Sequence, residues 1–165
     1  MGTELRQLTV HDLDAVRAIL AACSTFSEEE VRVAFEMVEA GLVGEYHLLG
    51  ALVDGALHGY TCAGRAPLTA DSWYLYWICV HPDRRRKGVG RALQRGLEEA
   101  IDSLGGRRIV LETSGRPAYE DARGFYRSQR FYHVGTIPNF YRADDDCLIY
   151  CKAIATPRHR HDRGK

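Results

Sequence analysis

Val80-His81-Pro82-Asp83-Arg84-Arg85-Arg86-Lys87-Gly88-Val89-Gly90-Arg91-Ala92-Leu93 is the stretch whose reading decides the fold. The run before it, Trp73–Val80 (WYLYWICV), is apolar or aromatic on both alternating sets, as a central strand covered on both faces must be. After it, Val89, Ala92, Leu93, Leu97, Ala100, Ile101 and Leu104 form a helical stripe, which predicts a helix from Gly88 to about Leu104. Gly96 in its middle costs about 1 kcal/mol against alanine, so close packing against a neighbour is expected there. The segment therefore reads as buried strand, short loop, long helix, with glycines and cations crowded at the helix start. Free N–H groups and the positive dipole end attract an anion to such a place, and glycines let it approach the backbone. Cations at a helix N-terminus oppose the dipole, so a merely solvated basic turn accounts for them poorly. A phosphate or pyrophosphate accounts for them well.

The phosphate motif is of a particular kind. G-x-x-x-x-G-K-[ST] is absent, and Gly88-Val89-Gly90 supplies only the first two glycines of G-x-G-x-x-G. What is present is R-x-x-G-x-G, in Arg85, Gly88 and Gly90.

Outward from this centre the chain alternates strands and helices. Thr3–Leu8 suits an opening strand. Leu13, Val16, Ile19, Leu20 and Cys23 mark a first helix, and Ser27 with Glu30 forms a capping box ahead of Val31, Ala34, Phe35 and Val38. Gly41 and Gly44 are expected to end that second helix. Asp54-Gly55 joins strands at Tyr46–Val53 and Leu57–Ala63 as a hairpin. Beyond Gly105-Gly106 the pattern predicts a strand at Arg108–Thr113, a helix at Ala118–Ser128, and strands at Phe131–Ile137 and Cys147–Ile154. Early hairpins and late β-α-β crossovers imply an α/β (α+β mixed) fold, a mixed sheet with helices on both faces.

The chain has 165 residues, 45% hydrophobic and 27% charged, enough for one domain with a sizeable core. Residues 1–155 are read as that domain, and 156–165 as a basic, disordered tail. The tail's His159 and His161 lack a third ligand, and no metal is expected. Lys and Arg number 22 and Asp and Glu 22, a balance that disfavours a nucleic-acid or membrane-surface binder. No apolar run spans a bilayer and no leader pattern opens the chain, so a cytoplasmic location is expected. Cys23, Cys62, Cys79, Cys147 and Cys151 are odd in number and scattered, which fits reduced buried thiols.

The R-x-x-G-x-G segment, strand before and helix after, resembles the pyrophosphate loop of the GCN5-related N-acetyltransferases (GNAT). The resemblance continues through Glu112-Thr113-Ser114 and Tyr119-Glu120-Asp121-Ala122-Arg123-Gly124-Phe125-Tyr126, similar to the family's later strand-and-helix motif ending in Phe-Tyr. Gln129-Arg130-Phe131 follows, with Arg130 where the family usually has glycine, and Asn139-Phe140-Tyr141 and Asp144-Asp145-Asp146 flank the closing strand. The matched region runs from about Trp73 to Lys152. It implies a mostly antiparallel sheet of about seven strands, acetyl-CoA as acyl donor, an amine-bearing acceptor, and the homodimer common in the family.

Site residues follow from the resemblance. Arg85, Arg86, Lys87, Gly88, Val89, Gly90 and Arg91 would hold the pyrophosphate, and an N–H of Cys79 or Val80 would bond the thioester carbonyl. Tyr126 stands at the general-acid position, and a phenol can protonate a departing thiolate. Tyr119 stands where the family often has a cofactor-binding asparagine. Glu112, near its strand end, is the candidate general base, with His81 weaker; a covalent role for Cys79 is disfavoured in a strand flanked by Ile78 and Val80. Ser24-Thr25-Phe26, Trp73–Trp77 and Asn139–Arg142 are the expected acceptor-selecting segments. Three other readings stay open: an acyl-CoA-sensing module without turnover, a transferase using another acyl-CoA, and a nucleic-acid-binding domain using Arg84–Lys87, for which four cations are too few.

Overall fold

The computed structural model describes residues 2–154; the basic tail at 156–165 lies outside the described residues. Its elements are β1 (Glu4–Gln7), α1 (Leu13–Ala22), α2 (Glu28–Leu42), β2 (His47–Val53), β3 (Ala56–Arg65), β4 (Ser72–Val80), α3 (Val89–Ser103), β5 (Arg108–Ser114), α4 (Glu120–Ser128), β6 (Tyr132–Arg142) and β7 (Asp145–Ala153). Short 3-10 turns lead into α1, follow β4, and precede α4 at Pro117–Tyr119.

The seven strands form one sheet in the order β1-β2-β3-β4-β5-β7-β6. β4 and β5 are parallel, and every other neighbouring pair is antiparallel. Strand alternation sends Leu48 and Leu52 of β2 to one face, where α1 and α2 cover them through Val16, Leu20, Phe35 and Val38. Leu49, Ala51 and Val53 point to the other face, under Val89 and Leu93 of α3. Leu97 and Ile101 of α3 continue that second layer over Trp73, Ile109 and Leu111. Both faces are thus covered, which is why Trp73–Val80 in β4 reads as apolar or aromatic on both alternating sets.

Glycines mark the tightest contacts. A Cβ on Gly96 would lie 2.5 Å from Leu5 Cδ1 and 3.1 Å from Leu49 Cδ2, so the helix closes directly onto β1 and β2. Gly44 (φ 100°) lies just past α2 in the left-handed region; Gly41, expected to end the helix, instead stays within it, with Leu48 packed where a side chain would stand.

Two features of β4 shape everything downstream. It pairs with β3 from Trp73 to Val80, but the register shifts between Cys62 and Ala63 so that Tyr76 has no opposite residue. That is a β-bulge, which bends a strand and raises its twist. With β5 it pairs only at Ser72–Arg108, Trp73–Ile109 and Tyr74–Val110. From the bulge onwards the two parallel strands separate.

The last hairpin is longer than its sequence pattern suggests. The Asn139–Arg142 segment, expected as a loop, falls within the span of β6, with Asn139, Phe140 and Tyr141 off the ladder, which jumps from Ile137–Cys147 to Arg142–Asp145. Side chains replace the missing bonds: Asn139 N–H donates to Asp146 Oδ1 (2.8 Å) and Asp144 N–H to Asn139 Oδ1 (2.9 Å).

Candidate active site

The gap between β4 and β5 opens into a cavity of about 1140 Å³ lined from both faces of the sheet. Alternation sorts its walls. Leu111 of β5 packs in the α3 layer, so its neighbour Glu112 points to the α2 face. Leu75 likewise packs in the α3 layer, and Tyr74 and Tyr76 point the other way, with Trp77 joining the α2 face after the bulge. The cavity therefore passes through the sheet, with one mouth beside α3 and α4 and one beside α2.

The α3 mouth is basic. Arg85, Arg86, Gly88, Gly90 and Arg91 line it. Arg86 (φ 60°) and Gly88 (φ 86°) are both left-handed, the kind of turn that aims successive N–H groups into one concavity. The first helical bond of α3 runs from Ala92 N–H to Gly88 O (2.9 Å), which leaves the N–H groups of Val89, Gly90 and Arg91 without intrahelical acceptors. Phe125 of α4 lies 3.2 Å from where a Gly90 Cβ would stand, so the glycine admits α4 close to the helix start. Arg85 turns inward, donating to Val80 O (3.3 Å) and Cys23 Sγ (3.3 Å), and so ties the loop to β4 and to the end of α1. Of two other expected binding residues, one side chain points elsewhere and one contributes only its backbone N–H. Lys87 bonds Asp83 O (2.9 Å) and lines a separate shallow cleft with Arg84 and His81, while the Val89 side chain is core.

Backbone alternation separates the two expected carbonyl donors. His81 N–H bonds His58 O on β3 (2.8 Å), so along an antiparallel ladder Cys79 also faces β3. Val80 and Ile78 face the gap, where β5 has already left. The N–H of Cys79 is thus part of the ladder, and the available donors are those of Val80 and of Ile78, which sequence reading missed. The two-residue period along β4 was the signal that could have found it.

Tyr126 comes from the α3 side, its ring against Phe125 (5.9 Å), Phe131 (6.0 Å) and Tyr150 (6.1 Å). No hydrogen bond holds its hydroxyl to any described residue, and it lines the cavity. Burial, helped by the nearby Cys79 sulfur, pushes its phenol well above the usual range. It stays protonated, as a proton donor must. Burial raises the Cys79 thiol to about 12, too high to supply a thiolate nucleophile.

The α2 mouth is acidic and aromatic. Glu112 is exposed to the cavity and forms no hydrogen bond or ion pair among the described residues. Its charge is felt by Tyr76 and Tyr141, whose phenols are raised chiefly by burial. Glu30 is a contact with no local sequence signal as a site residue. It completes the Ser27 capping box, with Ser27 N–H donating to Oε2 (2.7 Å), while Oε1 accepts from the Tyr119 hydroxyl (2.5 Å) across 89 residues of chain. Desolvation pulls its pKa up, but these bonds and Arg142 outweigh it and hold the carboxyl below its usual range. Tyr119 thus lines the cavity with its hydroxyl hydrogen already donated to Glu30. Arg123, 6% exposed, fixes the nearby chain by donating to Ser114 O (2.5 Å) and Arg116 O (2.9 Å) and pairing with Glu120. Among the described residues no group of three or more His, Cys, Asp and Glu side chains could hold a metal ion, and no helix is long and apolar enough to cross a membrane.

The profile of the Acetyltransferase (GNAT) family matches residues 13–131. The chain belongs to the GNAT family. A GNAT-family protein from Desulfovibrio desulfuricans is 35% identical, with a TM-score of 0.88 over 93% of this chain and 100% of that one. Two more distant GNAT-fold structures share the architecture. The ribosomal-protein-S18-alanine N-acetyltransferase of Escherichia coli is 21% identical (TM-score 0.76, 96% and 98% covered). The PaiA N-acetyltransferase of Thermoplasma acidophilum, solved with coenzyme A, is 19% identical (TM-score 0.73, 93% and 99% covered). No curated protein sequence matches the chain. The mixed, mostly antiparallel seven-stranded sheet is the GNAT fold, and acetyl transfer is the class of chemistry that membership carries. Arg130 fits this frame: at φ 65° it occupies the left-handed position just past α4, the conformation a glycine adopts without strain.

Proposed function

We propose that this GNAT chain is an acetyl-CoA-dependent N-acetyltransferase that moves an acetyl group to a primary amine by direct attack. The observation that carries the reading is the opening between β4 and β5, which joins a basic, N–H-rich mouth to an acidic one past the Tyr126 hydroxyl. The PaiA relative, solved with coenzyme A, supports the choice of donor. The co-substrate's pyrophosphate lies against the start of α3 and Arg86, and its thioester lies along β4.

Each residue then has one task. Val80 and Ile78 N–H groups donate to the thioester carbonyl, where negative charge develops as the amine nitrogen bonds to carbon. Glu112, on the far side of the sheet, takes a proton from the incoming ammonium, directly or through water. The tetrahedral intermediate collapses with cleavage of the C–S bond, and Tyr126 gives its proton to the departing sulfur. The products are the acetylated amine and coenzyme A. The half-buried, uncommitted phenol suits the last step: desolvation keeps it protonated until the C–S bond breaks and the departing sulfur takes the proton, and the phenolate, the stronger base of the two, is then reprotonated through solvent by the proton that the acylated nitrogen sheds. Tyr126→Phe should lower kcat by tenfold or more with acetyl-CoA affinity little changed. An unchanged kcat removes the assignment. Calorimetric titration with coenzyme A tests the donor itself; no heat at millimolar ligand overturns the whole reading.

A further inference from the structure

The α2 mouth has a chemistry of its own, and what it favours rests on the acetyltransferase reading above. Its walls are aromatic: Trp77 meets Phe26 edge-on (5.5 Å), and Tyr76 leans against Tyr74 (5.8 Å). Trp77 Nε1 donates to Met37 Sδ (3.2 Å), which turns the indole toward α2. Glu30, Val33 and Met37 follow one another at helical spacing on the α2 face that lines the cavity, so Glu30 lies about 10 Å up the helix from the Trp77 contact. Of the carboxylates that line the cavity, Glu112 stands at the opening through the sheet and Glu30, with Glu29 beside it on α2, at the outer end of this aromatic passage, while Asp145 is taken up by Ser114 and Arg142. Glu112 is unpaired, and Glu30 is held in place by Ser27 and Tyr119 with acceptor capacity left. Arg142 is the one cation lining this mouth among the described residues, whereas Arg85, Arg86 and Arg91 line the opposite one.

We propose that the acceptor is a small aliphatic diamine, one amino group of which enters beside Glu112 while the other, as an ammonium, is held at Glu30 along the aromatic wall. Aromatic faces attract ammonium groups, and a carboxylate completes the site. A monoamine of equal length meets the same opening but leaves the remaining acceptor capacity of Glu30 unused. The donor mouth has the opposite charge, so the diamine is also steered to its own side of the sheet.

The test is steady-state kcat/KM of the full chain with acetyl-CoA, using linear monoamines and α,ω-diamines of three to eight carbons and a tetralysine peptide. At least one diamine should exceed its matched monoamine by about tenfold or more, with the advantage shrinking as salt rises. Glu30→Gln keeps the capping box, since glutamine serves there as well, and should cut the diamine-to-monoamine ratio about fivefold or more. Equal rates for the two series, a ratio indifferent to Glu30→Gln, or tetralysine outrunning every diamine each overturn the inference while leaving N-acetyl transfer intact. A chain that turns over no amine is settled by calorimetry on its coenzyme A complex. Absent diamine binding there overturns this inference, and absent coenzyme A binding overturns the reading beneath it as well.

Discussion

The two flanks of β4 carry opposite duties. Toward β3 the strand is paired from Trp73 to Val80, and toward β5 it is paired for three residues and then let go. The paired flank consists of close contacts: a Cβ on Gly59 would lie 2.8 Å from Cys79 O and 3.0 Å from Leu93 Cδ1. The free flank consists of unused donors and an open cavity. One strand is thus anchored by one edge so that the other edge can do chemistry, and the bulge at Tyr76 is where the change begins. Substitutions on the two flanks should therefore move different observables.

The largest effect belongs to the open flank. Glu112→Gln should lower kcat about a hundredfold, while chemical denaturation shifts by no more than about 0.5 kcal/mol because the side chain is exposed and unpaired. A full-rate variant would remove Glu112 as the base. On the paired flank, Gly59→Ala should cost about 2 kcal/mol by denaturation with kcat per folded molecule retained; lost turnover at full stability would break the division of labour. Far from both, at the sheet's outer edge, the Arg6 bond and two Thr9 contacts hold the Asp12 carboxyl down at about 2 against burial. A depressed carboxyl stabilises the fold above its unfolded value near 4 and loses that contribution as pH falls toward 2. Asp12→Asn should cost up to about 2 kcal/mol at pH 7 and almost nothing at pH 2, without altering kinetics. The smallest effect has the opposite sign: Arg130→Gly should add about 1 kcal/mol by relieving the left-handed residue past α4.

Much of this was legible before any coordinates. Wherever one segment's own pattern decides its state, the reading held: the Ser27–Glu30 capping box, the Asp54-Gly55 turn with both residues left-handed, and the close approach at Gly96. What stayed hidden depends on partners distant in the chain. Nothing local says that β7 inserts between β5 and β6, or that Glu30 meets Tyr119. Asn139–Arg142 was expected as a loop, yet β6 runs on through Pro138, a residue that an outermost strand tolerates because its outer edge needs no N–H partner. The loop's basic run could be seen but not sorted; only the turn geometry at Arg86 and Gly88 shows that Lys87 faces away from the cavity.

The interrupted ladder of β6 has an effect on how these molecules meet one another at high concentration. Proline offers no hydrogen at position 138, Asn139 is twisted out of line at φ 53°, and the register jumps twice along the strand. A neighbouring chain trying to extend the sheet there finds a broken template rather than a continuous row of amides, so fibre-like growth stalls at this margin despite its oily side chains.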